Sequence, residues 1–325
     1  MDYFCDLEKY KLIKCLIIGG GGFIGSHLVE ALINQKYKVR IFNRSCNVSF
    51  TDEVLNKIEF IQGNFTNEAA LISALNDCDI CFHLVSTVLP KSSNIDPIYD
   101  IQTNLIGTVK LLDYAVQARV KKIVFLSSGG TVYGSPKQLP IDEDHPTNPL
   151  CSYGITKLAI EKYLELYYQL YGLNYIILRL ANPYGEKQRT NASQGIIPIF
   201  LKKILRNEKV EIWGNGSIIR DYIYISDVVN ALIKTIPYQG AERIFNIGSG
   251  EGRSINDILE TIESSLGQPI KKHFTTGRAF DVPASVLSID RAKQFLNWHP
   301  KISFSEGLKH TMNWLKREIE KDKVY

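Results

Sequence analysis

The chain has 325 residues, and its hydrophobic content of 45% is typical of a soluble globular protein with a sizeable core. Its 38 basic and 34 acidic residues give a net charge of +4 and form no blocks, which argues against a nucleic-acid-binding surface. The first twelve residues lack an apolar core and no run is long enough to cross a bilayer, so we expect a cytoplasmic protein without a signal peptide or a membrane partner.

The cysteines show no metal-binding pattern. Cys78 and Cys81 form a single C-x-x-C pair, and no second ligand pair follows at the spacing of a zinc site. We therefore expect no metal and six reduced thiols, at Cys5, Cys15, Cys46, Cys78, Cys81 and Cys151.

Four consecutive glycines separate an apolar run at 16–18 from a helical pattern. Gly19, Gly22 and Gly25 have G-x-x-G-x-x-G spacing, in which the first makes the turn, the second admits a pyrophosphate and the third lets the helix pack on the strand. Phe23 and Ile24 then supply free N–H groups at the helix N-terminus. This segment predicts a phosphate-binding loop, and the alternative is a tight turn that binds nothing.

Apolar runs of strand length alternate with helical patterns over the first half of the chain. This alternation is typical of a doubly wound parallel sheet, the α/β fold that we predict. Further strands are predicted at 39–42, 58–61, 80–84, 123–127 and 175–180, and long helices at 100–119 and 152–171.

The pattern loosens after Asn182, where glycines and prolines interrupt the chain. Helices are predicted at 199–206, 254–266 and 304–320, and short apolar runs at 223–225 and 243–247 could return to the main sheet. We predict a dinucleotide-binding domain at 12–181, with return segments near 221–250, and a smaller, interleaved substrate domain within 182–325.

The end of the second strand bears on the choice of cofactor. An acidic residue there binds the ribose hydroxyls of NAD, whereas a nearby arginine accommodates the 2′-phosphate of NADP. The chain has Asn43, Arg44 and Ser45 at this place, which favours NADP(H) over NAD(H). The alternative is that Arg44 is a solvated loop residue and Asn43 alone binds the ribose.

Tyr153 and Lys157 lie four residues apart in a predicted helix, and therefore on one face. Oxidation of a secondary alcohol by nicotinamide needs a group that exchanges a proton with the alcohol oxygen. The ammonium of Lys157, together with an oxidised nicotinamide ring, would favour the phenolate of Tyr153 and bring its pKa toward the working pH.

The glycine loop and the tyrosine–lysine pair belong to a longer series of motifs in a fixed order. The motifs are GGGGFIG (19–25), FHLVS (82–86), NLIGT (104–108), SSGGTVYG (127–134), YGITK (153–157), LRLANPYG (178–185), RDYIY (220–224) and RAFDVPA (278–284). Together they resemble extended short-chain dehydrogenase/reductases of the nucleotide-sugar group, and are similar to UDP-glucose 4-epimerases over roughly residues 12–320. The resemblance implies a Rossmann-type sheet, a nicotinamide cofactor and a nucleotide-sugar substrate.

The resemblance also implies roles for single residues. Tyr153 would be the acid/base, Lys157 would orient the nicotinamide ribose, and Leu84 and Asn104 would lie on the cofactor side. The positions that resemble substrate-binding residues are Asn182, Arg220 and Arg278, which would hold the diphosphate and adjoining groups, and Trp213, which would either stack near the base or pack within the small domain.

Four positions depart from the epimerase pattern. Gly129 replaces a catalytic serine, so a hydroxyl would have to come from Ser128 or Thr131. The other three departures concern the cofactor, where Asn43 and Asn64 replace acids and Val88 replaces a lysine.

We expect an NAD(P)H-dependent enzyme that reduces the C4 ketone of a nucleotide-linked sugar, with a dTDP-4-dehydro-6-deoxy-hexose used in surface-polysaccharide synthesis as the leading candidate. A NAD-dependent 4-epimerase and a non-catalytic nucleotide-sensing protein are the alternatives. We also expect a homodimer built on the two long helices, whose apolar residues include Leu164, Leu166, Tyr167 and Leu170.

Overall fold

The computed structural model describes residues 13–45, 50–65, 67–190, 195–277 and 282–322, which form two compact units. Unit 1 comprises the described residues up to Tyr133 together with Thr147–Arg179 and Val229–Phe245. Unit 2 comprises Gly134–Pro146, Leu180–Val228 and the described residues from Asn246 onward.

A seven-stranded parallel sheet flanked by helices forms the framework of unit 1, which confirms the predicted doubly wound α/β fold. Its strands are β1 (Lys14–Ile18), β2 (Lys38–Asn43), β3 (Ile58–Gln62), β4 (Ile80–His83), β5 (Lys122–Ser128), β6 (Asn174–Leu180) and β10 (Ile244–Ile247). Their order is β10-β6-β5-β4-β1-β2-β3. Successive strands are added on one side of β1 as far as β3 and on its other side from β4 onward, so the strand order reverses between β1 and β4. Ligands of such sheets bind at the carboxyl ends of the strands beside this reversal.

The helices that accompany this sheet are α1 (Phe23–Asn34), α2 (Asp52–Leu55), α3 (Glu68–Leu75), α4 (Pro90–Ile95), α5 (Pro97–Asp100), a π-helix (Ile101–Ile106), α6 (Gly107–Gln117) and α7 (Ser152–Tyr171). One apolar cluster, which includes Leu16, Leu112, Phe125 and Ile160, packs strands against helices. Cys78 and Cys81 belong to this cluster, and burial raises the pKa of Cys78 to about 11, so its thiol stays protonated.

The helix predicted at 100–119 is interrupted. Pro97 starts the short helix α5, which Asp96 caps by accepting a hydrogen bond from the N–H of Tyr99. A π-helix then precedes α6, and its wider turn places Asn104 in a buried position. A pattern with a period of 3.6 residues does not predict this insertion.

Unit 2 contains a four-stranded sheet, in which β9 (Ile219–Tyr224) pairs with β7 (Asn182–Tyr184), β11 (Gly252–Ser254) and β13 (Ala284–Ser285), and a two-stranded sheet of β8 (Val210–Trp213) and β12 (Lys272–Thr275). The remaining helices are α8 (Ile196–Leu205), α9 (Ile225–Lys234), α10 (Ile255–Leu266), α11 (Asp290–Leu296) and α12 (Phe304–Asp322). The expectation that 223–225 returns to the main sheet is wrong, because this run ends β9 and begins α9. The run at 243–247 does return, as the edge strand β10.

Within the described ranges, no helix combines the length and apolar character needed to cross a membrane.

Candidate active site

The glycine-rich turn follows β1 and opens α1 with close backbone packing. Gly19 has a φ of +87°, which favours glycine, and the N–H of Gly22 donates to its carbonyl at 3.0 Å. A Cβ on Gly25 would lie 2.2 Å from the carbonyl oxygen of Gly19, so only glycine lets the helix approach this turn. Helix α1 has no side-chain cap and no acidic residue in its first turn, which suits its N–H groups at Phe23 and Ile24 to an anion. These residues fit a dinucleotide pyrophosphate.

The residues described at the carboxyl ends of β2 and β3, namely 43–45 and 62–64, form a rim that carries no carboxylate. Asn43 donates from Nδ2 to the carbonyl of Ser45 at 2.9 Å, and Gln62 donates to the carbonyl of Arg44 at 3.1 Å. These bonds shape the turn and leave the Arg44 side chain exposed to solvent. Asn64, which follows β3, accepts a hydrogen bond from the N–H of Asn67 and is also exposed. An anionic group approaching this rim would meet the guanidinium of Arg44 and the neutral amides of Asn43, Gln62 and Asn64.

The segment after β4 is fixed to both the glycine turn and the π-helix. The N–H of Leu84 donates to the carbonyl of Ile18, and the side chain of Val85 packs near Gly19. Asn104 accepts from the N–H of Thr87 at 3.0 Å and donates to its hydroxyl at 2.8 Å. The amide of Asn104 therefore holds this segment in place.

Tyr153 and Lys157 lie on the first two turns of α7, and the helix places both on one face. The ammonium of Lys157 is buried, donates to the carbonyl of Leu126 at 2.9 Å, and lies 4.6 Å from the ring centroid of Phe125 and 5.7 Å from that of Tyr153. A positive charge is thus held beside the tyrosine.

Burial has the largest effect on the pKa values of Tyr153 and Lys157. It lowers the pKa of Lys157 to about 8, although the carboxylates of Asp100 and Glu161 oppose the shift. The pKa of the Tyr153 phenol is raised above its ordinary value, first by burial and then by Cys151 and Asp100. In the protein without cofactor, loss of solvation is the largest cause of the raised pKa of Tyr153, and the combined effect of Lys157 and an oxidised nicotinamide stays a prediction. The phenol stays protonated at neutral pH.

Two hydroxyls flank Gly129, the position without the catalytic serine. The Oγ1 atom of Thr131 is buried and has no hydrogen-bond partner, while Ser128 is half-buried. The backbone of Thr131 packs on the first turn of α7, since a Cβ on Gly154 would lie 2.8 Å from the carbonyl oxygen of Thr131. Val88, at the place of the epimerase lysine, is buried.

In unit 2, Asn182 and Arg220 are brought together on neighbouring strands, and Trp213 lies on a different sheet. Asn182 donates to the carbonyl of Asp221 at 2.9 Å, and Arg220 donates to the carbonyls of Ile219 and Val282. Trp213 is 45% exposed and donates to Glu211 at 3.0 Å. Arg278 lies outside the described residues.

Sequence reasoning missed two buried carboxylates near the Tyr153–Lys157 pair. Asp100 accepts a hydrogen bond from Asn104 at 2.9 Å, and Glu161 pairs with Arg179 and accepts from Ser127 at 2.5 Å. Each carboxylate lies four residues from a predicted site residue, Asp100 before Asn104 and Glu161 after Lys157. This i, i+4 spacing was the available signal.

A model of the NAD dependent epimerase/dehydratase family matches residues 15–248. The chain belongs to this family. A UDP-glucose 4-epimerase of Mycolicibacterium smegmatis is 33% identical over 95% of this chain and 100% of that protein. A dTDP-4-dehydro-6-deoxyglucose reductase of Escherichia coli is 34% identical over 90% of this chain and 94% of that protein. The crystal structure of the UDP-glucose 4-epimerase of Thermotoga maritima with UDP-glucose has a TM-score of 0.88 and 34% identity, covering 94% of this chain and 100% of that one.

Membership of this family establishes the resemblance that the motifs indicate, and it makes the chain a nucleotide-sugar enzyme of the epimerase, dehydratase and reductase type. The names of its relatives include both an epimerase and a reductase, so similarity alone does not choose between the two reactions.

Proposed function

We propose that this protein is an NADPH-dependent reductase of the C4 ketone of a nucleotide-linked sugar, with a dTDP-4-dehydro-6-deoxy-hexose as the leading substrate. The observation that carries the proposal is the rim after β2, where exposed Arg44 follows Asn43 and where the described residues include no carboxylate that would oppose a 2′-phosphate. Asn43 and Asn64 are neutral and Arg44 is basic, at strand ends where an NAD enzyme would carry acidic residues.

Tyr153 is the group that we propose as the acid of this reduction. When bound, the reduced nicotinamide supplies hydride to the ketone carbon. Tyr153 then gives its proton to the ketone oxygen, a role that requires the protonated phenol, and burial keeps it protonated. Lys157 lies beside the ring and stabilises the negative charge that remains on the tyrosine oxygen.

The 4-epimerase is the second candidate, and the names of several relatives favour it. An epimerase must remove hydride from C4 and return it to the other face while the cofactor stays bound. The substrate-binding residues would be shared by both reactions: we take Asn182, Arg220 and Arg278 to hold the diphosphate and adjoining groups, and Trp213 to stack near the base. The cofactor rim and the hydroxyl at Gly129 are the features that distinguish them.

Arg44 provides the first test. A charge-assisted hydrogen bond contributes on the order of 1.5–3 kcal/mol. Arg44→Ala should therefore weaken NADPH binding roughly tenfold to hundredfold and leave NADH binding nearly unchanged. Asn43→Asp should shift preference toward NADH, because its carboxylate repels the phosphate and accepts from the ribose. The measurement is kcat/KM for both reduced cofactors. Lys38→Ala, which removes an exposed cation from the other end of β2, is the matched control.

Equal responses of NADPH and NADH to Arg44→Ala would contradict the assignment of the rim. On the epimerase alternative neither change at the rim should matter much, because NAD has no phosphate there.

Thr131 is the hydroxyl that we propose in place of the missing serine, since its Oγ1 is buried without a partner. A donor aimed at the developing oxyanion contributes roughly 10²-fold to turnover. We therefore expect Thr131→Val, which keeps the side-chain shape, to lower kcat by about that factor, and Ser128→Ala to have a small effect. A large loss of kcat in Ser128→Ala with a small loss in Thr131→Val would assign the role to Ser128.

A homodimer is the proposed assembly. Leu166 and Leu170 on α7 are 44% and 61% exposed, and Ile101 and Ile106 of the π-helix are also exposed. The prediction that Leu164 and Tyr167 belong to this surface is wrong, because both are buried in the core of unit 1.

Sedimentation velocity tests the assembly. We expect Leu166→Glu combined with Leu170→Glu to convert a dimer into a monomer, because the new charges would have to be buried. Ile72→Glu on α3, where Ile72 is 48% exposed, should leave the dimer intact. A wild-type protein that sediments as a monomer at micromolar concentration would refute the dimer.

A further inference from the structure

The helix that carries Tyr153 begins without a cap of its own. Cys151 occupies the N-cap position of α7 and makes no side-chain cap hydrogen bond. Its thiol faces the N–H groups of Tyr153 and Gly154, but sulfur is a weak acceptor. The N–H groups of the first helical turn have no partner within the helix, so they must be satisfied from elsewhere.

Side chains from a distant segment supply those partners. The hydroxyl oxygen of Ser93 accepts a hydrogen bond from the N–H of Tyr153 at 2.9 Å. The Oδ1 atom of Asn94 accepts from the N–H of Ser152 at 2.9 Å. Asp100 accepts from the hydroxyl of Ser152, also at 2.9 Å. We call Ser93, Asn94 and Asp100 the external cap.

Two residues of the external cap are buried and held by further hydrogen bonds, whereas Asn94 is exposed. Ser93 and Asp100 are both 0% exposed, and the hydroxyl of Ser93 donates to the carbonyl of Pro90 at 2.9 Å. The second oxygen of Asp100 accepts from the side chain of Asn104. Because Asn104 also holds Thr87, one continuous set of hydrogen bonds joins the segment after β4 to the first turn of α7.

We propose that Ser93, Asn94 and Asp100 are positioning residues, which set the place of the Tyr153 hydroxyl by fixing the backbone of the first turn of α7. This rests on the proposed acid role of Tyr153. A single uncapped turn at a helix end frays readily, and a displacement of about 1 Å at a reacting group can cost roughly 10²-fold in rate. The cap therefore acts on turnover through Tyr153.

The test compares variants that remove the cap with one that alters a hydroxyl beside it. Ser93→Ala combined with Asn94→Ala should lower kcat roughly tenfold to hundredfold, while KM and the dissociation constant for NADPH change less than about twofold. Ser92→Ala is the matched control, because the Ser92 hydroxyl bonds to backbone groups of Leu89 and not to α7. Asn94→Asp keeps the acceptor oxygen and should retain turnover that Asn94→Ala loses.

Two further measurements separate positioning from general loosening. In a Tyr153→Phe background, removing the cap should cause no additional loss of turnover, because the group that the cap positions is gone. Hydrogen–deuterium exchange of the peptide that contains residues 151–155 should be faster in the double variant and unchanged in Ser92→Ala. The exchange experiment needs neither cofactor nor substrate.

Unchanged exchange at 151–155, or an equal loss of turnover in the Tyr153→Phe background, would overturn the external cap. If the double variant does not fold, the pair Asn94→Ala and Asn94→Asp decides the same question. A wild-type protein without reductase or epimerase activity would instead overturn the proposed function, and the exchange result would still decide whether the cap holds the first turn.

Discussion

Tyr153→Phe should lower turnover by about 10²-fold to 10⁴-fold, the range of a positioned general acid. The substitution removes only the phenolic oxygen, and Phe keeps the ring that lies beside the ammonium of Lys157. The glycine turn and the rim after β2 are untouched, so the dissociation constant for NADPH should change little. Single-turnover kinetics with the natural substrate, together with a cofactor titration, measure the two effects separately.

The matched control for this variant is Tyr163→Phe. Tyr163 lies on the same helix and is partly exposed, so loss of its hydroxyl should leave turnover within about twofold. Near-normal turnover of Tyr153→Phe would show that another group donates the proton, and the mechanism would be wrong.

Lys157→Met should lower turnover by roughly 10²-fold or more, because it removes the positive charge that stabilises the tyrosine oxygen. Lys157→Met should also weaken NADPH binding, since the proposed role of Lys157 includes a contact with the nicotinamide ribose. Tyr153→Phe should not weaken NADPH binding. Met fills a similar volume but leaves the buried carbonyl of Leu126 without its hydrogen-bond donor, so we expect the free energy of unfolding to fall by about 1–3 kcal/mol. A variant with normal NADPH affinity would contradict the ribose contact.

The same lysine gives the pH dependence. The ammonium form exists below its pKa, which burial lowers to about 8, so kcat/KM for reduction should fall as the pH rises through about 8. Titration of Tyr153 should cause no change in kcat/KM near neutral pH, because the pKa of its phenol is raised. The residual activity of Lys157→Met should show no fall in kcat/KM near pH 8. If the fall persists in this variant, another group causes it.

The parts of the fold that depend on local rules could be predicted from the sequence. The apolar runs identify the strands of the sheet because a strand buried on both faces must be apolar on both. The position of Gly25 follows from the same kind of reasoning, since any side chain there would collide with the turn. The spacing of Tyr153 and Lys157 determines that they share one helix face, whatever surrounds the helix.

The remaining features depend on contacts between distant segments. Asp100 meets Ser152 across 52 residues of sequence, and no local pattern indicates which helix end it caps. The raised pKa of Tyr153 depends on how deeply its helix is packed, a property of the fold and not of the Y-x-x-x-K spacing. The run at 223–225 has the composition of a sheet strand, but strand pairing alone decides which sheet it joins.

The central claim is that the chain consumes NADPH to reduce a ketone, and one assay tests it most directly. Purified protein is mixed with NADPH and a dTDP-4-dehydro-6-deoxy-hexose, and the loss of reduced nicotinamide is followed beside a parallel reaction that contains UDP-glucose and no added cofactor. The account predicts stoichiometric oxidation of NADPH, faster than that of NADH, and no formation of UDP-galactose. Robust interconversion of UDP-glucose and UDP-galactose without added cofactor, with no consumption of NADPH, would contradict it and establish the epimerase.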